Sequence, residues 1–303
     1  MGGQEQYDSF INQIKFEELK GNICIKGIVA DDKNRKSFDG YDIVRKSDLG
    51  SLDLDCVIIT NVMFHFHVAK QEVLSIIPNV KVISAKVFNI PLFDFGRYYQ
   101  IIDKKISIIA NTCWGGLTYN SLYMEFLSPF INLTISPTDY IKLLSNFQYY
   151  MSQELMMVKD RDSNGNPIGK LADIPIDFVH YQNFAEAKEC WLRRVRKLNY
   201  ENLFIYMPIT DEETAEAFCE LTIEHKYGFC NFKSAKNLIY MSDYECSAEV
   251  KRNFGGRGFS SYMNDQARRR LYDYDDELGN RGAKTRKVYD VLKLLSGENE
   301  YLR

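Results

Sequence analysis

The spacing of apolar and polar positions changes several times along this chain, and each change marks an element. Residues 7–14 carry apolar side chains at helical intervals, whereas residues 22–30 (NICIKGIVA) and 56–60 read as short strands. Residues 68–77 return to helical spacing, and Lys81–Ser84 is again a strand. Strand and helix signals alternating in this way predict a small parallel α/β sheet over residues 1–103, closed by a linker at 94–103. A second α/β domain, with a mixed sheet, is predicted for residues 104–303. Its strands are read at 106–110, 174–180, 202–208, 227–232 and 237–241. Its helices are read from 117, over 147–158, at 183–198 and at 212–224. Residues 160–169 read as a turn, and the chain beyond about residue 249 as helix interrupted by glycine.

The sharpest junction lies in KISIIANTCWGGLTYNSLYMEFLSPF, residues 105–130, where an apolar strand stops at Asn111-Thr112-Cys113-Trp114-Gly115-Gly116. Ligands of α/β proteins sit outside the carboxyl ends of strands. Asn111 and Thr112 supply donors and acceptors there, and Gly115 and Gly116 are expected to leave backbone N–H groups uncovered. A second strand end is expected at His180, followed by Tyr181 and a helix that Asn183 and Glu186 open as a capping box. On that helix Phe184, Ala187, Trp191, Val195 and Leu198 share one face, so Trp191 reads as core. Arg194 falls about 60° from Trp191, at the rim of the buried seam, and Arg193 falls near the back. Arg194 is read either as a structural ion pair or as an anion ligand. His180 is read as a general base or as a loop anchor. Cys113 is read as a nucleophile partnered by His180, or as a buried thiol.

Composition narrows the classes. A chain of 303 residues with 45% apolar content has enough core for two domains. A net charge of −3 argues against a general nucleic-acid binder. Residues 251–303 hold 12 Lys/Arg against 8 Asp/Glu, a net of +4 against −7 elsewhere. That stretch includes Arg268-Arg269-Arg270, Lys284, Arg286 and Lys287, interleaved with Asp273, Asp275, Asp276 and Glu277, and a self-paired, solvated surface is expected. Seven scattered cysteines without a C-x-x-C pattern read as reduced thiols of a cytoplasmic protein. No signal peptide and no apolar run of membrane-spanning length is read. Three metal-like patterns are set aside. Asp160-Arg-Asp162-Ser-Asn164-Gly165 lacks the final Glu of a calcium loop and reads as a hairpin turn. Asp273-Tyr-Asp275 follows an Arg-rich helix rather than an apolar strand, and His65 and His67 lack a nearby third ligand. No metal is expected, and no cofactor is indicated.

Several ordered pieces carry a family resemblance. They are Ile108-Ile-Ala-Asn111-Thr-Cys113-Trp114-Gly115-Gly116, Ser128-Pro129-Phe130, Pro137-Thr-Asp139-Tyr140, Pro167-Ile-Gly169, Asp173-Ile, Phe178-Val-His180-Tyr181, Trp191-Leu-Arg193-Arg194 and Asn199-Tyr-Glu-Asn202-Leu-Phe204. Over residues 106–242 the chain resembles bacterial exopolysaccharide biosynthesis proteins catalogued as domain of unknown function 1919. Lys197 departs from the Arg expected there. The N-terminal pieces Gly27-Ile-Val-Ala-Asp31-Asp32, Gly40-Tyr-Asp-Ile-Val44 and Leu54-Asp55-Cys-Val-Ile-Ile59 resemble Rossmann-like sugar-nucleotide domains. No apolar strand precedes Gly2-Gly3, and no complete G-x-G-x-x-G is present, so a structural role is expected for that domain.

Together these readings propose a transferase of surface-glycan assembly handling a sugar or nucleotide-sugar ligand. A non-catalytic glycan- or nucleotide-binding scaffold and a Cys/Ser hydrolase using Cys113 or Ser128 stand as alternatives. Catalysis is placed on His180 and Cys113. Substrate binding is placed on Asn111, Thr112, Trp114, Gly115, Gly116, Tyr119, Ser128, Asp139, Tyr181 and Arg194. The reading requires residues 111–116 and 180–194 to face one pocket.

Overall fold

The computed structural model describes residues 4–30, 36–60, 66–90, 93–254, 256–268 and 289–298. The chain is an α/β protein that divides into two compact units, Met1–Gly96 and Arg97–Arg303. Gly2-Gly3, Asp31-Asp32, His65, the pair Arg269-Arg270 and the Asp273-Tyr-Asp275 pattern, with Asp276, Glu277, Lys284, Arg286 and Lys287, lie outside the described residues.

The first unit contains α1 (Gln4–Leu19), β1 (Ile28–Val29), β2 (Ser37–Phe38), β3 (Tyr41–Val44), β4 (Cys56–Ile59), α2 (Phe66–Ile76) and β5 (Lys81–Ser84). Its described strands form two small sheets, β1-β3-β2 and β4-β5. The β4-α2-β5 segment is a βαβ unit, since parallel neighbours need a crossover. The strand expected over residues 22–30 shortens to Ile28–Val29. Carboxylates of α1 hold the chain before it instead: Asn22 Nδ2 donates to Glu17, and the Ile25 N–H donates to Glu18.

The second unit opens with α3 (Phe95–Asp103, which begins just before the unit boundary), β6 (Ser107–Ala110), α4 (Trp114–Ser121), α5 (Pro137–Ser145) and α6 (Phe147–Ser152). An antiparallel sheet follows, β7 (Leu155–Lys159), β8 (Ile168–Leu171) and β9 (Ile174–Asp177). Then come α7 (Phe184–Val195), β10 (Leu203–Ile209), α8 (Glu212–Glu220), β11 (Lys226–Cys230), β12 (Ile239–Tyr240), α9 (Ser242–Cys246), α10 (Ala248–Phe254), α11 (Gly258–Arg268) and α12 (Val291–Ser296).

The main sheet is wholly parallel in the order β12-β11-β10-β6, with Phe204 opposite Ile108 and Tyr206 opposite Tyr227. Helices cover both faces, which is why β10 is a continuous apolar run rather than an alternating one. One face carries Ile109, Ile205, Met207 and Ile209 into a core shared with Tyr140, Phe218 and Trp191. On the other face Trp114 of α4 stacks on Tyr206 with ring centroids 4.1 Å apart, and its Nε1 donates to the Tyr289 hydroxyl at 2.8 Å. β6 lies at the edge of this sheet, and Tyr119 from α4 closes it. The Tyr119 hydroxyl accepts the Ile108 N–H and donates to the Ile106 carbonyl, both at 2.9 Å.

Residues 147–158 are not one helix. The helix stops at Ser152, and residues 155–159 pair with β8, which lies partly inside the expected turn. The turn itself is tighter: Asp162 accepts the N–H groups of Asn164 and Asn166, each at 2.8 Å, and Gly165 takes a φ of 82°. The Asp162 carboxylate thus closes a hairpin. Among the described residues no helix is long and apolar enough to cross a membrane.

Candidate functional site

The Asn111–Gly116 junction does lie at the carboxyl end of β6, but it is packed rather than open. α4 starts at Trp114 and not near residue 117, so Gly115 and Gly116 fall in its first turn, buried. A Cβ on Gly115 would meet Ile108 Cγ2 at 3.2 Å, and one on Gly116 would meet Ile131 Cγ2 at 3.1 Å. These glycines allow close helix packing, and the expectation of uncovered N–H groups is corrected accordingly. Trp114 is fully buried in the aromatic stack. Asn111 is 3% exposed: its backbone carbonyl accepts the Ile135 N–H, and its Nδ2 donates to the Ile135 carbonyl at 3.3 Å. Its Oδ1 meets no donor among the described residues. Thr112 Oγ1 donates to Asn264 Oδ1 at 3.3 Å and accepts the Trp114 N–H at 3.4 Å. Burial pushes the Cys113 thiol up, and the nearby Arg268 charge offsets this only in part.

Other expected site residues also serve the fold. Tyr119 closes the sheet edge as described. Ser128 is fully buried and its hydroxyl accepts the Phe130 N–H at 3.1 Å, which removes it from solvent as a nucleophile. Asp139 sits in the first turn of α5, where its N–H donates to Ser136 Oγ and its Oδ2 accepts from that hydroxyl. Tyr181 is buried and donates to the Ile131 carbonyl at 3.1 Å. Arg194 is half-buried at the seam rim, as its helical position predicts, and donates to the Tyr181 hydroxyl at 2.6 Å. His180 is exposed, at a φ of 70°, a left-handed conformation that L residues adopt rarely outside turns.

No residue of 111–116 or 180–194 lines the open cavity described below. The extended segment through Thr134 and Ile135 runs between Asn111 and Asp177, whereas the Ile131 side chain packs at Gly116 and its carbonyl accepts from Tyr181. Ile135 exchanges backbone bonds with Asn111, while Thr134 exchanges both of its backbone bonds with Asp177. Successive residues of an extended chain turn their N–H and C=O groups to opposite sides. Asn111 and the β9 end therefore flank that segment on opposite edges. Arg194 is further displaced, toward the amino edge of the main sheet. It lies over the Phe126 ring, next to Leu127, and the Leu127 carbonyl accepts from Ser107 at the start of β6.

The carboxyl edge does carry an open site, two strands away from β6. A cavity of about 290 Å³ is lined by Asn231, Tyr244, Glu245 and Lys251. Asn231 follows the last residue of β11, Tyr244 and Glu245 belong to α9, which follows β12, and Lys251 belongs to α10. Adjacent strands lie about 4.8 Å apart, so Asn231 stands roughly 10 Å along the edge from Thr112. Tyr240 donates to Glu245 Oε2 at 2.6 Å, fixing that carboxylate, and the bond pushes the Tyr240 hydroxyl up to about 12. Tyr244 is positioned by ring contacts with Phe259 and Tyr262 of α11, the helix whose Asn264 meets Thr112. Among the described residues, the Asn231 amide, the Tyr244 hydroxyl and the Lys251 ammonium make no side-chain hydrogen bond or ion pair. An amide, a phenol, an ammonium and an oriented carboxylate thus converge with unused bonding capacity. Sequence reading missed all four, although strand ends at residues 232 and 241 were legible and the rule used for β6 applies equally to them.

Comparison with known proteins follows the same span of chain. Residues 84–270 match the family described as "Domain of unknown function (DUF1919)". Residues 1–83 are similar to the family described as "C2185-like, N-terminal". A protein of Haemophilus influenzae described as "Uncharacterized protein" is 31% identical over 166 residues, which is 53% of this chain and 80% of that relative. The matched span of the first family contains the parallel sheet, the antiparallel sheet and the cavity residues, and on that ground the chain belongs to the DUF1919 family.

Proposed function

We propose that this protein is a cytoplasmic transferase of surface-glycan or exopolysaccharide assembly, acting on a sugar or nucleotide-activated sugar bound at the carboxyl edge of the parallel sheet. The observation that carries the reading is the convergence of Asn231, Tyr244, Glu245 and Lys251 on one cavity at the strand ends where ligands of parallel sheets bind. A sugar offers many hydroxyls, which amide, phenol and carboxylate groups pair with, and an aromatic ring to cover its apolar face. Glu245, held by Tyr240, is positioned to accept a proton from an attacking hydroxyl. Lys251 supplies a charge for a phosphate leaving group. Cys113 and Ser128 do not support a hydrolase, since one thiol is raised by burial and one hydroxyl is internal.

A second reading, a glycan- or nucleotide-binding protein without turnover, is favoured by one fact. The cavity lining holds a single carboxylate and no histidine or thiol. Incubation with a radiolabelled nucleotide-sugar panel and glycan acceptors separates the two. The transferase reading expects transfer by the native chain and a loss of at least about 100-fold in Glu245→Gln, the scale of a general base. The melting temperature should stay within about 2 °C of the native value, as for other exposed substitutions. Binding without transfer supports the second reading, and neither binding nor transfer contradicts both.

A further inference from the structure

We propose that Arg194, at the amino edge of the main sheet, is the centre of a second ligand site that takes a phosphate group. This goes beyond the carboxyl-edge cavity and does not depend on it, because no residue that lines the cavity contacts Arg194.

The local structure holds the guanidinium as a preformed fork. One N–H donates to the Tyr181 hydroxyl at 2.6 Å, and the Tyr181 proton is itself committed to the Ile131 carbonyl at 3.1 Å. The guanidinium carbon lies 5.1 Å from the centroid of the Phe126 ring. Stacking on one side and a fixed bond at one nitrogen leave the side chain little freedom to lose on binding. The remaining N–H donors meet no acceptor among the described residues.

The contrast with neighbouring cations gives the arrangement meaning. Lys188 of the same helix pairs with Glu154, and Lys197, three residues on, pairs with Glu125. Arg194 is half-buried like Lys188, yet it has no carboxylate among the described residues. A partly desolvated charge without a counter-ion costs stability unless something supplies the anion. The C-terminal turn of α7 stabilises a cation, which accounts for some of its presence there but not for its unused donors. A planar fork backed by an aromatic ring matches the oxygens of a phosphate, which accept two parallel N–H bonds.

The test uses the full chain and two probes, inorganic phosphate and uridine diphosphate, followed by calorimetry and by the Arg194 Nε–H resonance. Binding of both assigns the site to the phosphate group itself, and binding of uridine diphosphate alone assigns it to a nucleotide. Either result requires that the Arg194 resonance shift on addition. Arg194→Lys keeps the charge but loses the fork and should weaken binding at least about tenfold. Phe126→Leu keeps the arginine but removes its backing ring and should also weaken binding. Lys251→Ala, in the distant cavity, should leave the Arg194 response unchanged. If Arg194→Lys fails to fold, the Phe126→Leu result and the native resonance still decide. An unshifted resonance at saturating probe, or undiminished affinity in both variants, would overturn the proposal.

Discussion

Tyr119 satisfies two buried backbone groups of the β6 edge with one hydroxyl, and removing that oxygen tests the arrangement. Tyr119→Phe leaves the Ile108 N–H and the Ile106 carbonyl without their partner. A loss of about 1–3 kcal/mol is expected, read as a lower urea midpoint at unchanged slope. A native midpoint would contradict the edge-closing role. Nothing local in the sequence announces this function, because it depends on the packing of α4 against β6. The same holds for Asn111, whose partner Ile135 lies 24 residues on, whereas the partners of Ser128 and Asp139 are the local Phe130 and Ser136. Trp191 and Arg194 were legible because helical spacing alone assigns them to seam and rim. Thiol reactivity gives a second test at this scale. Burial raises the thiols of Cys113 and Cys56, the latter to about 11, whereas Cys24 and Cys246 are exposed. Iodoacetamide near neutral pH should therefore label Cys24 and Cys246 first. Labelling of Cys56 and Cys113 should accelerate as pH rises, since only the thiolate reacts. Cys113 modified as fast as Cys246 at neutral pH would restore the case for a nucleophile.

Strand β11 shows how tightly the elements are fitted. A Cβ on Gly228 would stand 2.5 Å from Leu238 Cδ2, 2.8 Å from Ile209 Cδ1 and 3.0 Å from Phe218 Cε1. Gly228→Ala should cost about 1–3 kcal/mol by overpacking between β10, α8 and the approach to β12. A thermal midpoint equal to the native one would mean that this interface yields more than a close-packed core should. Elements with one unambiguous pattern, the helical period of α7 and the unbroken apolar run of β10, were read from sequence nearly to their ends. The run at 147–158 was not. Its apolar side chains suit a helix or an edge strand equally, and pairing with β8 decides in favour of the strand from Leu155 onward. The strand expected over residues 22–30 was overread for a related reason. Residues 22–27 have strand-like composition, but the Glu17 and Glu18 carboxylates take up the donors of Asn22 and Ile25.

At the scale of the whole chain, the two proposals place one ligand site at the carboxyl edge of the parallel sheet and another at Arg194. The carboxyl edge holds the cavity of Asn231, Tyr244, Glu245 and Lys251, and the amino edge holds Arg194. The α/β class was legible from the alternation of strand and helix signals, but the sheet types were not: β2 pairs antiparallel with β3 in the first unit, and the second unit has a wholly parallel sheet beside a separate antiparallel one where a single mixed sheet was expected. The location of the cavity was not legible, because all of its lining but Asn231 comes from two short helices whose sequence shows no motif. The most direct test of the account is calorimetric titration of the full chain with a panel of nucleotide-sugars, repeated on Lys251→Ala and His180→Ala. The account predicts that at least one member binds, that Lys251→Ala weakens it about tenfold or more as a lost charged contact should, and that His180→Ala binds as the native chain does. Binding that ignores Lys251→Ala but is lost in His180→Ala, or a panel in which nothing binds, would contradict it.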